Sequence, residues 1–396
     1  MDPITNPYAP GAGSPPPELA GRDALLEALR VAIERARRGL TGKSLLVLGL
    51  AGTGKTVLLD RMRIDVGATG VQAVRVAVSG TRSLPALLAP ELRLALLRVS
   101  SQGTARDSAQ RALSALAGFA KAMKRDYRDL DVGLDVEAES GLADSGDFQR
   151  DLQVLLESAA IAAQRAATAL VLFFDDMHFL SQPELAGLIT ALHACAEQGL
   201  PIALVGTGLP QLRGQASALR TYTDRLYNFA EIGALPAEAA EQAIRKPAAG
   251  LGVQFEDAAI ANMLAATHGH PYFLQELAKH AWDSAVRSPI TLRDTRHAAL
   301  YTLATLDENF FRPRFNRLTP AEKKYMRAMA ELGAGPFRSG EIAAALNRRV
   351  TSLGPTRGQL LEKGMIWSPQ HGETACTVPR FDEFLRRTWA SDSWRK

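Results

Sequence analysis

Short apolar runs alternate with helical stretches up to residue 232. Five runs predict strands, at 44–48, 73–78, 169–174, 202–205 and 227–232. Between them, apolar residues recur with helical spacing, at 22–39, 84–98, 105–125 and 147–165. Strands that alternate with helices are typical of an α/β layer on a parallel sheet. The polar, alternating stretch at 130–136 fits either a hairpin edge or a loop.

The pattern changes after residue 233, where the strands stop. Residues 236–312 show helical spacing only, with breaks at 250–252, 269–271 and 289. From residue 318 the pattern predicts three helices and then a hairpin, at 320–332, 339–346, 352–363 and 367–378. Three helices followed by a hairpin favour a winged helix-turn-helix.

A glycine-rich segment follows the first predicted strand and fits the phosphate-loop pattern G-x-x-x-x-G-K-[ST] in full. Its glycines let successive backbone N–H groups point at one anion, and a helix N-terminus follows. Lys55 is suited to contact the β- and γ-phosphates, and the Thr56 hydroxyl to bind Mg²⁺. The expected nucleotide-binding residues are Gly49, Leu50, Ala51, Gly52, Thr53, Gly54, Lys55, Thr56 and Val57.

A second chemical signal comes from two acids that end the most apolar predicted strand. Asp175 is expected at the carboxyl end of that strand, where open α/β sheets bind ligands, and it would hold Mg²⁺ through water. Asp176 is the candidate base that orients the attacking water. An acidic turn after a strand is the structural alternative, and the phosphate loop upstream makes it the weaker one.

With these two motifs, the sequence resembles P-loop ATPases of the AAA+ and STAND classes. In particular it resembles the bacterial origin-recognition-like (Orc/Cdc6-type) AAA ATPases. Three further segments carry the resemblance, at 18–23 (Glu-Leu-Ala-Gly-Arg-Asp), 202–208 (Ile-Ala-Leu-Val-Gly-Thr-Gly) and 269–276 (Gly-His-Pro-Tyr-Phe-Leu-Gln-Glu). It implies ATP and Mg²⁺ as cofactors and a P-loop NTPase (AAA+/ASCE) parallel sheet of order 5-1-4-3-2, with an α-helical lid and a C-terminal winged helix-turn-helix.

The resemblance also assigns roles by position. Arg22 belongs to an adenine-side entry motif, and Thr207 is the expected sensor of the γ-phosphate or the attacking water. Arg225 is the expected arginine finger, acting across a subunit interface; Arg220 competes with it, and either residue could instead cap a helix. His270 and Pro271 resemble a lid motif that contacts the nucleotide, although Pro271 also suits a helix start.

Two departures from the AAA+ pattern favour a slow switch over a fast motor. The usual acid pair is Asp-Glu, whereas this chain has Asp175 followed by Asp176, whose side chain is one methylene shorter. The lid also lacks an Arg where AAA+ proteins usually place their second sensor. His270 is the nearby candidate for that position.

The net charge of +4 conceals an asymmetry. Residues 313–396 hold 15 Lys and Arg against 8 Asp and Glu, or +7, so the remainder carries −3. A basic C-terminal end favours a polyanion partner. On the winged-helix interpretation, helix 352–363 lies in the recognition position, and duplex DNA, protein docking and a structural role stay open. The candidate DNA-binding residues are Arg348, Arg349, Arg357, Lys363 and Arg380.

Composition limits the remaining classes. With 46% hydrophobic and 22% charged residues, the chain is neither disordered nor fibrous. Its apolar runs are far shorter than the roughly 18 residues of a membrane span. Cys195 and Cys376 are isolated, which suits a reducing cytoplasm, and the first 17 residues do not fit a signal peptide. The expected domains are an N-terminal arm (1–17, disordered or extended), an ATPase core (18–235), a helical lid (236–288), a linker helix (289–317) and a winged helix (318–396).

These observations lead to one main hypothesis and two alternatives. The main one is a cytoplasmic AAA+ switch that binds ATP or ADP, hydrolyses ATP slowly, assembles into a homo-oligomer with ATP and binds duplex DNA. The first alternative is a STAND-like signalling or defence ATPase whose output is a protein partner. The second is a transposition-type ATPase adaptor.

Overall fold

The chain divides into two compact units in a computed structural model that describes residues 1–11, 13–40, 42–101, 103–130, 137–220, 223–370 and 372–389. The α/β unit comprises Arg22–Leu48 and Leu58–Glu231. The loop unit comprises Met1–Gly21, Gly49–Val57 and the chain from Ile232 onward. The phosphate loop therefore groups with the helices that follow the sheet. Of the stretch at 130–136, all but Leu130 lies outside the described residues.

A five-stranded parallel sheet forms the centre of the α/β unit. Its strands are β1 (Ser44–Leu48), β2 (Gln72–Ala77), β3 (Leu170–Asp175), β4 (Ile202–Gly208) and β5 (Tyr227–Glu231). Neighbours follow the order β2-β3-β4-β1-β5, and every neighbouring pair is parallel. Read from the other edge, this is the predicted order 5-1-4-3-2, so the predicted fold class is confirmed. Every residue of β1 and β3 is buried, as expected for strands covered on both faces.

Helices connect these strands in the order that the sequence predicts. They are α1 (Asp23–Arg37), α2 (Lys55–Gly67), α3 (Leu84–Ser100), α4 (Arg106–Met123), α5 (Phe148–Arg165), α6 (Gln182–Glu197), α7 (Gln211–Leu219) and α8 (Thr223–Leu226). Three of them, α3 to α5, lie between β2 and β3. Several starts are fixed by side chains: Ser83 caps α3, and Ser181 with Glu184 forms a capping box on α6.

Strand β4 is longer than its apolar run alone predicts, and it covers the whole segment 202–208 that carries the family resemblance. The apolar run ends at Val205, but the strand continues through Gly206 and Thr207 to Gly208. Gly206 interrupts the apolar pattern because a Cβ there would collide with the Met177 sulfur and with Leu46. The extension matters for function, since it holds Thr207 inside the sheet.

The helices of the expected lid (236–288) and of the linker that follows it pack on a shared apolar core in the loop unit. They are α9 (Ala237–Ala249), α10 (Asp257–Thr267), α11 (Pro271–Ser284) and α12 (Leu292–Leu306). The described part of the N-terminal arm has a 3-10 turn at Pro3–Thr5 and contacts these helices. Tyr8 is 3% exposed within their core, and its hydroxyl donates to the Ile244 carbonyl.

The C-terminal module, residues 318–389, follows a π-helical turn at Asp307–Phe311 and α13 (Arg312–Asn316). It contains α14 (Pro320–Leu332), β6 (Phe337–Arg338), α15 (Ser339–Ala345), α16 (Gly354–Glu362), β7 (Ile366–Trp367), β8 (Glu373–Cys376) and α17 (Phe381–Thr388). Its strands form an antiparallel sheet of order β6-β8-β7. Three helices and a hairpin occur in the predicted order, and β6 and α17 are additional. Among the described residues of the whole chain, no helix is long and apolar enough to span a membrane.

Candidate functional site

The phosphate loop begins where β1 ends, and two of its glycines are required by close packing. A Cβ on Gly49 would lie 2.5 Å from the Ile232 carbonyl oxygen. A Cβ on Gly52 would lie 2.7 Å from Cε1 of His270, and Gly52 also has a left-handed φ of +78°. Both positions therefore exclude larger residues. Within the loop, the Lys55 ammonium and the Thr53 hydroxyl each donate to the Leu50 carbonyl at 2.9 Å.

His270 joins the phosphate loop to the lid. Its Nε2 donates to the Ala51 carbonyl oxygen at 3.0 Å, which fixes the tautomer with the proton on Nε2. Burial lowers the pKa of His270 to about 4, and the positive charges of Arg380 and Lys55 act in the same direction. The imidazole is therefore neutral near pH 7, and its Nδ1 is buried without a hydrogen-bond partner among the described residues. Pro271 occupies the first position of α11 and suits that helix start.

The C-terminal module also contacts the phosphate loop. The Ala51 N–H donates to the Thr377 carbonyl at 3.1 Å, so one loop residue bonds the lid through its carbonyl and the C-terminal module through its amide. Arg380, three residues further on, donates to the Ala266 carbonyl at 2.7 Å and pairs with Glu383. Its guanidinium carbon lies 6.0 Å from the centre of the Phe273 ring. Arg380 thus faces the lid.

In the α/β unit, the expected catalytic acids meet Thr207 at the carboxyl ends of β3 and β4. The Thr207 hydroxyl donates to Asp175 Oδ1 at 2.5 Å and accepts the Asp176 N–H at 3.0 Å. Asp175 and Thr207 are buried, whereas the Asp176 side chain is 42% exposed. Asp176 has a left-handed backbone (φ +56°), a strained conformation for a non-glycine residue.

The sequence analysis missed two residues beside these acids. Arg75 on β2 reaches Asp175 Oδ2 with Nη2 at 3.3 Å and pairs with Asp60 of α2 at 2.7 Å. His178 lies in the turn after Asp176, with its Nδ1 3.8 Å from Asp176 Oδ1. The parallel pairing of β2 with β3 brings Arg75 to Asp175 although they are 100 positions apart. The sequence did carry one signal for Arg75, because it is a basic residue in the middle of a predicted strand.

Asp175 and Thr56, each taken within its own unit, offer oxygen donors that suit Mg²⁺ held mainly through water and phosphate. Asp175 accepts one hydrogen bond at each carboxylate oxygen, which leaves lone pairs on both. Thr56 is half-buried and offers a hydroxyl. Among the described residues, no group of three or more His, Cys, Asp or Glu side chains forms a metal cage. Mg²⁺ in nucleotide sites usually takes one or two protein oxygens, so these residues fit it.

The two candidate arginine fingers differ in their surroundings. Arg220 is the C-cap of α7, and its guanidinium donates to Thr190, Gln149 and the Leu219 carbonyl. Arg225 is exposed at the end of α8, directly before β5.

Arg22 is buried at the N-cap of α1, and burial lowers its pKa.

The candidate DNA-binding residues fall into two groups. Arg348 and Arg349 are exposed in the turn before α16. Arg357 instead holds the hairpin, donating to Thr374 Oγ1 and the Glu373 carbonyl, each at 3.0 Å, and to Ser368. Lys363 pairs with the buried Glu322 at 2.7 Å. Arg357, Lys363 and the lid-facing Arg380 therefore have structural partners that their charge alone did not indicate.

Comparison with known families assigns two segments of the chain. Residues 18–205 match the profile of the AAA ATPase domain. Residues 308–385 match a domain of unknown function, DUF8462. No curated protein sequence matches the chain.

Several solved structures are similar to this chain at low sequence identity. The Walker-type ATPase PABY2304 of Pyrococcus abyssi is 14% identical with a TM-score of 0.56, covering 93% of this chain and 96% of its own. The Orc1 protein of Aeropyrum pernix in complex with DNA is 15% identical with a TM-score of 0.46, covering 93% of each chain. The RuvB Holliday junction branch migration motor of Thermotoga maritima is 18% identical with a TM-score of 0.42, covering 93% of this chain and 95% of its own.

The family match and the sheet order agree with the phosphate loop and with the acids at the end of β3. The resemblance to AAA+ proteins is thereby confirmed. The chain contains a P-loop AAA ATPase domain, at residues 18–205.

Proposed function

We propose that this protein is an ATP-dependent AAA+ switch that hydrolyses ATP slowly and binds duplex DNA through its C-terminal module. One observation carries the switch. Ala51 in the phosphate loop bonds His270 of the lid and Thr377 of the C-terminal module at the same time. A nucleotide that reshapes the loop acts on both contacts, because a ligand shifts a conformational equilibrium through contacts that differ between the two states.

Different residues of the chain would have separate roles in ATP hydrolysis. Lys55 and the loop amides would hold the phosphates, Thr207 would fix Asp175, and Asp176 would orient the attacking water. Thr56 and Asp175 would hold Mg²⁺, which supplies charge neutralisation at the phosphates when it is bound. Asp176 reaches less far than a Glu would, so turnover is slow. Exposed Arg225 would complete the site of a neighbouring subunit, which makes hydrolysis depend on ATP-driven assembly.

The proposal for DNA rests on the exposed basic turn before α16. We interpret the C-terminal module as a winged helix, with α16 as its recognition helix. Arg348 and Arg349 would contact DNA phosphates, and the exposed Gln359 would face the groove. Arg348 and Arg349 are both exposed, whereas the other three DNA-binding candidates make the structural contacts described above. Arg357, Lys363 and Arg380 would support the module.

Fluorescence anisotropy with a labelled duplex and the full-length protein tests this assignment. The wild type should bind more weakly as salt rises, because phosphate contacts release counterions. The double variant R348A/R349A should lower the magnitude of the log K against log salt slope by about 2. A matched double variant, K121A/R125A, removes two exposed cations of the α/β unit and should leave the slope unchanged. Equal effects of the two double variants would contradict this DNA surface.

A STAND-like switch with a protein output is the second candidate function. The bond between Ala51 and Thr377 favours it as well, because the C-terminal module touches the phosphate loop whether or not DNA is its target. This alternative predicts hydrolysis that duplex DNA does not change. A duplex that stimulates the ATPase would exclude it.

A further inference from the structure

The carboxylate expected to hold Mg²⁺ is fixed at both of its oxygens by residues of the neighbouring strands. Thr207 on β4 donates to Asp175 Oδ1 at 2.5 Å, and Arg75 on β2 reaches Asp175 Oδ2 at 3.3 Å. Asp175 is 7% exposed; its contact with Thr207 is buried, and its contact with Arg75 is partly buried. Thr207 was expected from the sequence, whereas Arg75 has no assigned role.

Arg75 is itself held in place by Asp60. Its Nε donates to Asp60 Oδ1 at 2.7 Å, and its Nη2 lies 3.4 Å from Asp60 Oδ2. Asp60 belongs to α2, the helix that begins within the phosphate-loop motif. Burial acts to lower the pKa of Arg75, but hydrogen bonds and charge from Asp60 and Asp175 outweigh it and raise that pKa. A guanidinium stays protonated in proteins, so Arg75 is a permanent cation held between two carboxylates.

A cation beside a metal ligand has two opposite effects on Mg²⁺. Its charge repels the metal, and its hydrogen bond orients the carboxylate that receives the metal. Here Asp60 offsets the charge of Arg75, because their close ion pair at 2.7 Å is neutral and repels a nearby cation only weakly. Arg63 also contacts Asp60, but at 3.4 Å and with a side chain that is 37% exposed, so solvent screens its charge. The orientation of the Asp175 carboxylate is therefore the main effect of Arg75 on Mg²⁺. Outer-shell partners of metal ligands commonly change metal affinity 10- to 100-fold.

We propose that Arg75 is a positioning residue for the Mg²⁺-dependent nucleotide site, holding Asp175 in place while Asp60 neutralises its charge. This inference rests on the proposed nucleotide-binding function. It assigns Arg75 no contact with nucleotide or with the reacting atoms. Its effect should appear in the Mg²⁺ dependence of nucleotide binding even when no ATP is hydrolysed.

Binding of a fluorescent, non-hydrolysable ATP analogue to the full-length protein, titrated with Mg²⁺, measures this effect. The variant Arg75→Met should raise the half-saturating Mg²⁺ concentration about tenfold. Its nucleotide affinity in EDTA should match the wild type, which also shows that the variant is folded. A Mg²⁺ requirement that is unchanged or lower in Arg75→Met would overturn the proposal.

Asp60→Asn tests the second half of the mechanism and serves if Arg75→Met does not fold. Without Asp60, the Arg75 cation is no longer neutralised and should raise the Mg²⁺ requirement by repulsion. In a background that already carries Arg75→Met, Asp60→Asn should add nothing, because the cation is gone. Equal effects in both backgrounds would contradict the coupling of these two residues.

Arg63→Met is the matched control. Arg63 also contacts Asp60, at 3.4 Å, but Asp175 is held by Arg75. Its loss should leave the Mg²⁺ requirement within about twofold of the wild type, since outer-shell effects come from groups that bond the ligand itself. A shift as large as that of Arg75→Met would indicate a general charge effect and overturn the assignment. A wild type that binds no nucleotide at all would overturn the proposed function together with this inference.

Discussion

His270 shows how the protonation of a single residue depends on its buried contact with the phosphate loop. It is buried, donates to the Ala51 carbonyl and is neutral near pH 7. Protonation would place a charge in a dry site that already contains the positive fields of Arg380 and Lys55. The folded loop unit therefore tolerates His270 only as the neutral base.

The pKa of His270 predicts a specific loss of stability in acid. An unfolded His titrates near 6.5 and the folded one near 4, so between these values the unfolded chain binds the additional proton. The contribution to stability is complete above pH 6.5 and is lost as the pH falls toward 4. Between pH 7 and 4.5, the wild type should lose about 2–3 kcal/mol more unfolding free energy than His270→Gln. Denaturant unfolding at both pH values measures it, and parallel losses in the two proteins would contradict it.

Lys55 and Asp176 separate nucleotide binding from hydrolysis. Lys55→Ala should abolish nucleotide retention, because it removes the cation that contacts the β- and γ-phosphates. Asp176→Asn should retain binding and lose turnover, because the amide cannot accept a proton from the attacking water. Filter binding and phosphate release measure the two properties. Normal turnover in Asp176→Asn would show that Asp176 is not the base.

At the level of elements, the C-terminal module uses its basic residues for two different purposes. Arg357 joins the hairpin to α16 through hydrogen bonds to Thr374, Ser368 and the Glu373 carbonyl. Arg348 lies exposed in the turn before the same helix. Both were candidate DNA contacts in the sequence, since charge alone does not tell where a side chain points.

Arg357 and Arg348 should therefore respond differently to truncation. Arg357→Ala should lower the free energy of unfolding by about 1–3 kcal/mol, because the buried Thr374 hydroxyl and the half-buried Ser368 hydroxyl and Glu373 carbonyl lose their donor. Arg348→Ala should change it by less than about 0.5 kcal/mol and weaken DNA binding instead. Chemical denaturation and duplex binding on the same two variants test this. Equal destabilisation by both would contradict the division.

The sequence predicts those elements whose chemistry is local. The phosphate loop lies in one unbroken motif, and the runs of β1 and β3 identify them as buried strands. The two-residue β6 is too short to leave a pattern. Arg75 was missed because its partners, Asp60 and Asp175, meet it only after the chain has folded across α2 and β3.

At the scale of the whole molecule, the modest net charge is a near-cancellation between a basic C-terminal part and a slightly acidic remainder. The basic part belongs to the loop unit, which also contains the phosphate loop. The polyanion-binding surface and the nucleotide-binding loop are thus proposed within one compact unit. The bond between Ala51 and Thr377 is the path by which each would influence the other.

The ATPase rate and oligomeric state of the full-length protein, measured with and without duplex DNA, test the central claim most directly. We predict slow basal turnover, assembly with ATP, and a change in both on adding duplex, because effects between two coupled sites are reciprocal. Lys55→Ala, which cannot retain nucleotide, should show neither assembly with ATP nor a response of the ATPase rate to duplex. A wild-type ATPase rate and assembly that duplex DNA leaves unchanged, at low salt where phosphate contacts are strongest, would contradict the DNA-coupled switch.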